Sequence, residues 1–304
     1  MNILACDVSK DVVTPYSGVL LKDVENSKKA LRELLAAHPG YVVVCEATSS
    51  YHLELVELAH RLKHPVYVVN PKEARNFKDS LSFRAKTDAL DARYLFEYAA
   101  RNMDLLRLWA PLPKELRELK KLIGERSVVV ESKARMALSF GKRKCSELDA
   151  AFKAMNELIA ILETRMLKIS QSFECFERMQ SIPGVGPIIA SALVFLLESR
   201  DYDDVDALVA FVGLDVRVRQ SGKFKGRRKL TKRGDSTLRY LLCVAGRCLL
   251  TSKVGRPKKA QLIAQGRHLP ERMAIAGRKV LRTAWSLYNT KQSFDPQKWK
   301  WGLT

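Results

Sequence analysis

Two aspartates stand three residues apart in the segment RAKTDALDARYL, residues 84–95. On a helix, residues three apart lie on the same face, so the like charges of Asp88 and Asp91 would repel each other. Lys86 and Arg93 are nearby basic side chains that would relieve this repulsion. A divalent metal ion bound between the two carboxylates would relieve it equally, and the segment alone leaves both explanations open.

Two further carboxylates follow predicted β-strands. Asp7 closes the apolar run NILACDV, and Glu46 closes the β-branched run YVVVCEA. Sites in α/β sheets gather outside the carboxyl ends of neighbouring strands, so these acids meet if their strands are adjacent. Side chains alternate along a strand, which turns Cys6 and Cys45 to the opposite face. Four such carboxylates suit Mg²⁺ or Mn²⁺, although turn capping and simple solvation are the ordinary roles of these residues.

The first hundred residues alternate strand and helix patterns that would position these acids. The predicted strands span 2–8, 14–21, 41–47 and 65–71, and the predicted helices span 27–38, 51–64 and 86–101. Alternation of this kind predicts an α/β fold with a mostly parallel central sheet.

A long helical region follows, from about Lys114 to Arg178. Within it, apolar residues recur at alternating spacings of four and three, a pattern called here the heptad seam. The heptad seam consists of Leu148, Phe152, Met155, Ile159, Leu162, Met166 and Ile169. This spacing is typical of a coiled coil, which would join two copies of the chain or separate two domains. The alternative is a helix that packs on its own domain.

The C-terminal part contains a strongly basic segment, residues 217–233, with nine Lys or Arg and no acid. The basic residues are Arg217, Arg219, Lys223, Lys225, Arg227, Arg228, Lys229, Lys232 and Arg233. Such a density of positive charge predicts salt-dependent binding to a phosphate backbone. Ser221 lies within it and would be a nucleophile if a base, metal or cationic field activated it. An ordinary Ser-Gly turn is the other interpretation.

The segment SIPGVGP, residues 181–187, resembles the hairpin of a helix-hairpin-helix element. In such an element the backbone N–H groups around Gly184 and Gly186 would contact phosphates at a helix N-terminus. A plain Pro-Gly turn between two helices is equally compatible with the pattern. The rest of this C-terminal part is predicted to be mainly helical.

The composition bounds the class of protein. The 304 residues carry 53 Lys+Arg against 33 Asp+Glu, and the resulting charge of +20 predicts DNA or RNA as a partner. The longest apolar run is shorter than the roughly 20 residues that span a bilayer, so no membrane role is expected. The six cysteines form no CxxC pair, which argues against a zinc site. These features together predict a cytoplasmic protein.

Taken together, the motifs resemble one family along almost the whole chain, the DEDD-type insertion-sequence transposases that include the Piv DNA invertases. The resemblance rests on DVSK, EATSSY, NPKEARNF, KTDALDA, IPGVGPIIAS and FVGLDVRVRQSGKFKGRRKLTKRGDSTLRYLL, in this order. One departure is Ser49, which stands where the family usually has glycine and bears on the turn after Glu46.

The resemblance implies three domains and a metal centre. Residues 1–110 would form a RuvC-like domain on the RNase H fold, 111–178 a helical coiled-coil connector, and 179–304 a mainly helical domain that carries the serine. The implied metal ligands are Asp7, Glu46, Asp88 and Asp91, with Mg²⁺ or Mn²⁺ as the cofactor.

The resemblance also implies a mechanism and partners. Ser221 would attack a DNA phosphate and form a covalent phosphoserine link, assisted by the metal-bound carboxylates. Members of the family act as oligomers, so a dimer or tetramer joined through the connector is expected, and some members are guided by a bridge RNA encoded in their element.

Three hypotheses follow for function. The first is a metal-dependent, serine-using site-specific DNA recombinase or transposase. The second is a RuvC-like nuclease or junction resolvase, which would need the carboxylates but would use water instead of Ser221. The third is a non-enzymatic nucleic-acid-binding protein in which the carboxylates are structural.

Overall fold

The chain divides into two units, Met1–Pro111 and Leu112–Thr304. A computed structural model describes residues 2–48, 50–80, 88–141, 145–217, 220–221, 224–225 and 229–301. The predicted boundary after residue 110 falls within one residue of the observed division. The predicted connector, 111–178, lies in the same unit as the C-terminal segment.

A five-stranded mixed sheet forms the centre of the first unit. Its strands are β1 Ile3–Val8, β2 Val12–Tyr16, β3 Val24–Glu25, β4 Val42–Glu46 and β5 Val66–Val69. They lie in the order β3-β2-β1-β4-β5. The β1–β4 and β4–β5 pairs are parallel, whereas β1–β2 and β2–β3 are antiparallel.

The prediction of a mostly parallel sheet is therefore wrong for the first three strands, because β1–β2 and β2–β3 are antiparallel pairs. Only three residues separate β1 from β2, and so short a connection forms a hairpin because a parallel pair needs a crossover of a dozen residues or more. The predicted strand at 14–21 also ends earlier, at Tyr16. The chain turns after it through Gly18, which has a φ of +98°, and Val19 and Leu20 are exposed.

Helices cover both faces of this sheet. They are α1 Lys28–Ala36, α2 Leu53–Arg61, α3 Pro71–Ser80 and α4 Asp88–Asn102, followed by a 3₁₀ turn at Met103–Leu105. On one face, α1 and α2 pack Leu31, Leu35 and Leu55 against the strands. On the other face, α4 contributes Leu95 and Ala99. The sheet is thus a buried layer, as the apolar β4 sequence indicates.

The second unit is mostly helical. Its helices are α5 Lys114–Phe140, α6 Ser146–Ser170, α7 Cys175–Gln180, α8 Pro187–Glu198, α9 Val205–Val212, α10 Ser236–Thr251, α11 Arg256–Ala264 and α12 Leu269–Thr290. Four two-residue strands, β6 Val216–Arg217, β7 Gln220–Ser221, β8 Phe224–Lys225 and β9 Lys229–Leu230, lie between α9 and α10. One hydrophobic core joins α5 and α6 to the helices that follow them.

The two connector helices form an antiparallel hairpin. Arg126 Nε donates to Glu163 at 2.7 Å, and Arg165 Nη2 donates to Glu118 at 2.6 Å. The earlier residue of α5 thus contacts the later residue of α6, which shows that the two helices run in opposite directions. The heptad seam lies on α6, and its residues Leu162 and Met166 are buried in the core that α5 shares. In this half of the heptad seam, α6 packs within its own chain, as the alternative interpretation held. A dimer or tetramer through this connector stays a prediction.

The longest apolar run of the sequence forms α8. Its residues Ile189 to Leu197 are all buried in the core of the second unit. Within the part of the chain that the structure describes, no helix combines the length and apolar character needed to cross a membrane.

Candidate active site

Asp7 and Glu46 lie at the same edge of the sheet. Asp7 is the penultimate residue of β1 and Glu46 is the last residue of β4. The two strands are adjacent and parallel, with Cys6 opposite Cys45. Their carboxyl ends therefore meet, as the sequence predicts for acids that follow neighbouring strands.

The pleat of the strands turns both acids toward α4. Cys6 and Cys45 are fully buried in the core cluster beneath α1 and α2. The residues before them, Ala5 and Val44, lie in the opposite cluster with α4. Because side chains alternate, Asp7 and Glu46 share the face of Ala5 and Val44.

Helix α4 brings the other two carboxylates to this edge. It begins at Asp88 and has both Asp88 and Asp91 in its first turn, where the helix dipole favours negative charge. Burial, followed by the charges of Asp91, Asp88 and Glu46, raises the pKa of Asp7 to about 6. Burial and the charge of Asp91 also raise the pKa of Glu46. Asp7, Glu46, Asp88 and Asp91, named here the carboxylate cluster, thus interact electrostatically as one group.

Helix α3 supplies the positive charge that faces the carboxylate cluster. The Lys78 ammonium forms an ion pair with Asp91, and both side chains are about a quarter exposed, at 23% and 25%. The same ammonium lies 5.3 Å from the ring centroid of Tyr94. Lys78 and Arg75 act against the rise in the pKa of Glu46.

These two basic residues were missed by the sequence analysis. Lys86, one of its two candidate partners for the aspartates, lies outside the described residues, as does Ser49. The other, Arg93, donates from Nε to Glu97 at 3.1 Å instead. The available signal was the i, i+3 spacing of Arg75 and Lys78, which places them on one face of a helix.

The chemistry of the carboxylate cluster fits a hard divalent cation. Its donors are all oxygens, the type that Mg²⁺ and Mn²⁺ prefer. Burial and the charges of the neighbouring acids raise the pKa of Asp7, and a bound cation would relieve the repulsion between these charges. Among the described residues, however, no three His, Cys, Asp or Glu side chains are gathered closely enough to hold an ion. An ion held here would compete with Lys78 for Asp91.

Ser221 lies in β7, and the four short strands β6, β7, β8 and β9, which pair antiparallel as β6–β9 and β7–β8, are named here the serine hairpin. At its base Val216 pairs with Leu230, and further along Ser221 pairs with Phe224. The structure describes the backbone of Arg217, Ser221 and Lys225 in these strands.

Part of the predicted nucleic-acid surface lies on the serine hairpin and just beyond it. Lys229, Lys232 and Arg233 have exposed side chains. The predicted contacts Arg219, Lys223, Arg227 and Arg228 lie outside the described residues. Phosphate binding by the segment 217–233 stays a prediction.

The SIPGVGP segment lies between α7 and α8. Gly184 has a φ of +88°, and a Cβ atom there would lie 2.4 Å from the backbone nitrogen of Leu249. Close packing on α10 thus explains this glycine without a ligand. Gly186 is exposed, has open space around its Cα and precedes the first residue of α8. A phosphate contact at either glycine stays a prediction.

Comparisons with known proteins match both units. An IS110 transposase model of the DEDD type matches residues 10–140, a range that includes Glu46, Asp88 and Asp91 and starts just after Asp7. A second model, the transposase IS116/IS110/IS902 family, matches residues 176–261 and includes Ser221.

Curated relatives are also named as transposases or as a gene-inverting protein. A putative transposase of Sinorhizobium fredii is 25% identical over 308 residues, which cover 88% of this chain and 78% of that protein. The pilin gene-inverting protein of Moraxella lacunata is 27% identical over 193 residues, covering 59% of this chain and 58% of the relative. A probable family 20 transposase of Pseudomonas aeruginosa is 22% identical over 306 residues, covering 88% and 89%.

The family models match the N-terminal and the C-terminal regions in the same order as the motifs, and relatives from three genera are named for moving or inverting DNA. The chain belongs to the IS110-type transposases and DNA invertases, and it is a DNA recombinase.

Proposed function

We propose that this recombinase breaks and rejoins DNA through Ser221, with a divalent cation in the carboxylate cluster. The observation that carries the proposal is that Asp7, Glu46, Asp88 and Asp91 lie at one edge of the five-stranded sheet, where burial and the charges of the other three acids raise the pKa of Asp7. A bound Mg²⁺ or Mn²⁺ supplies the positive charge that stabilises the reacting phosphate.

The residues of the chain then have separate tasks. The Ser221 oxygen forms a bond to phosphorus while the bond from phosphorus to one DNA oxygen breaks. The serine proton is released and the departing DNA oxygen takes one up, so that one phosphodiester replaces another. A hydroxyl of the partner DNA strand later attacks this phosphorus. A new DNA phosphodiester forms, the bond from phosphorus to the Ser221 oxygen breaks, and the serine hydroxyl is regenerated. Exposed cations such as Lys229 and Lys232 bind the phosphate backbone.

Relatives named as transposases and as pilin gene-inverting proteins support both transposition and inversion as outcomes of this chemistry. A bridge RNA is proposed as a further partner because some family members use one. Purification of the full chain from its host, followed by sequencing of any bound RNA, tests this. Recovery of one discrete RNA species supports the RNA partner, and recovery of unrelated fragments argues against it.

The serine step is tested with Ser221→Ala and, as a matched control, Ser172→Ala, which alters an exposed serine outside the serine hairpin. We expect Ser221→Ala to abolish protein–DNA adducts that survive SDS, since it removes the attacking oxygen, while the Kd for DNA changes little. Ser172→Ala should retain adducts. Full recombination by Ser221→Ala would refute the serine assignment, and metal-dependent DNA nicks without adducts from the unaltered protein would indicate a nuclease that uses water.

A further inference from the structure

The serine hairpin joins the second unit through two short segments, 213–215 and 231–234, named here the neck. The neck continues the pairing of β6 and β9. The Thr231 N–H donates to the Asp215 carbonyl at 3.0 Å, and the Lys232 N–H donates to the Gly213 carbonyl at 3.2 Å. The Thr231 hydroxyl also donates to the Asp215 carboxylate.

Two glycines let the segments of the neck approach each other and the end of α9 closely. Gly213 has a φ of +73°, and a Cβ atom there would lie 2.6 Å from the backbone nitrogen of Arg233. A Cβ atom on Gly234 would lie 1.9 Å from the carbonyl oxygen of Phe211. No other residue type fits these positions without movement of the backbone, so the neck is tightly defined.

Two arginines from the helical body hold the neck. Arg239, on α10, donates from Nη1 to the carbonyls of Val212, at 3.1 Å, and Gly234, at 2.9 Å. It thereby links the last residue of α9 to the last residue of the neck. Arg278, on α12, donates from Nε at 3.1 Å and from Nη2 at 2.7 Å to the carbonyl of Leu214.

The helices on either side of the neck are themselves well anchored. Helix α9 ends at Val212, directly before Gly213. Helix α10 begins after Asp235, whose carboxylate accepts from the N–H groups of Thr237 and Leu238 at 2.8 and 3.1 Å. Arg239 therefore ties the neck to a helix whose first turn is capped by Asp235.

We propose that Arg239 and Arg278 are positioning residues, which set the direction in which the neck presents Ser221 to DNA. The inference rests on the proposed function of Ser221. Ser221 follows Arg217, the last residue of β6, by four positions in the sequence, and β6 pairs with β9 directly next to the neck, so we expect a change in the neck to displace the nucleophile. Attack at phosphorus needs close alignment of the reacting atoms, and small displacements cost rate more than affinity.

The test compares Arg278→Met, Arg278→Lys and the control Arg282→Met. Arg282 lies one turn further along α12 and pairs with Asp206 instead of the neck. Hydrogen exchange of peptides covering 229–234 reports the neck directly, because Thr231 and Lys232 donate its backbone bonds. The rate of adduct formation at saturating DNA reports the nucleophile, and the Kd reports DNA binding.

For Arg278→Met we expect exchange in the neck to be about tenfold faster and adduct formation to be about 10- to 100-fold slower, with little change in Kd. Arg278→Lys, which keeps one donor and is the less disruptive change, should lie between Arg278→Met and the unaltered chain. Arg282→Met should alter neither the exchange nor the adduct rate.

Faster exchange with a normal adduct rate would show that Arg278 is structural alone and would overturn the positioning role. Unchanged exchange would show that Arg278 does not hold the neck. An absence of adducts from the unaltered chain would instead refute the serine chemistry, so the two failures are distinguishable.

Discussion

The carboxylate cluster and the serine hairpin are held in place by different forces. Asp7 and Glu46 follow Cys6 and Cys45, which are fully buried, so the positions of the acids are set by the packing of a sheet between two layers of helices. The serine hairpin begins and ends at a neck held by backbone hydrogen bonds, two glycines and two arginines. The first site is positioned by a hydrophobic core and the second by local polar contacts.

This difference predicts separable effects of mutation. A change in the carboxylate cluster alters charge at a site whose backbone is fixed by the core. We therefore expect it to lower the rate of strand cleavage more than the stability of the fold. A change in the neck acts on the backbone geometry itself. We therefore expect it to lower the local stability of the neck directly. Three substitutions test the comparison.

The largest effect is expected for Asp91→Asn. After burial, the charge of Asp91 is the largest cause that raises the pKa values of Asp7 and Glu46, and Asp91 also pairs with Lys78, so its carboxylate is central to the cluster. Loss of this charge should lower Mg²⁺-dependent strand cleavage by about 10²- to 10³-fold. Single-turnover cleavage at saturating DNA measures it. Asp104→Asn, at an exposed acid of the same unit, is the control, and equal activity of the two variants would refute the metal site.

The next effect is expected for Gly234→Ala, which tests the neck. The added Cβ would lie 1.9 Å from the carbonyl oxygen of Phe211, so the backbone must move. We expect a loss of about 1–3 kcal/mol in the free energy of unfolding of the second unit. Chemical denaturation of the full chain, followed by the signal of that unit, measures the loss.

The matched control for this substitution is Gly124→Ala. Gly124 lies inside α5 with nothing within 4 Å of the added Cβ. There, the same methyl group should stabilise the helix by about 0.5–1 kcal/mol, because alanine is the better helix former. If Gly234→Ala left the free energy of unfolding unchanged or raised it, the tight neck geometry would be wrong.

The smallest effect is expected for Lys78→Met. The ammonium of Lys78 neutralises part of the charge that a divalent ion would bind. Its removal should tighten Mn²⁺ binding by about 3- to 10-fold, a modest change because the pair is partly exposed. Titration of the full chain followed by the paramagnetic signal of free Mn²⁺ measures this without DNA. Lys72→Met, at an exposed lysine of the same helix, is the control. Unchanged or weaker binding in Lys78→Met would contradict the competition between lysine and metal.

Local patterns predicted the parts of the molecule that depend on near neighbours in sequence. The alternation of strands and helices, the buried β4 and the placement of Asp7 and Glu46 at one edge all follow from the period of apolar residues and the pleat of a strand. The helical character of α5 and α6 follows likewise from their spacing.

Other features depend on contacts between segments that are distant in the sequence. Local patterns did not predict these contacts, or predicted them wrongly. The antiparallel pairing of β2 was missed because the strand periodicity is the same in either direction. The heptad seam did not specify its partner, since α5 of the same chain and a helix of a second copy offer similar apolar faces. Local patterns also did not show that Gly184 packs on the backbone of α10, more than sixty residues away; a phosphate contact at this glycine stays a prediction.

By itself, the sequence determined the family and the charge that suits a nucleic acid, and it predicted the four carboxylates and Ser221 as site residues, because these are properties of residue type and order. Tertiary structure alone decided which cation faces the aspartates. Among the described residues, Arg93 was nearer in sequence, yet Lys78 pairs with Asp91 because the packing of α3 beside α4 sets the distance between their side chains. It also decided that Arg239 and Arg278 meet the neck, since a hydrogen bond depends on position in space and not on separation along the chain.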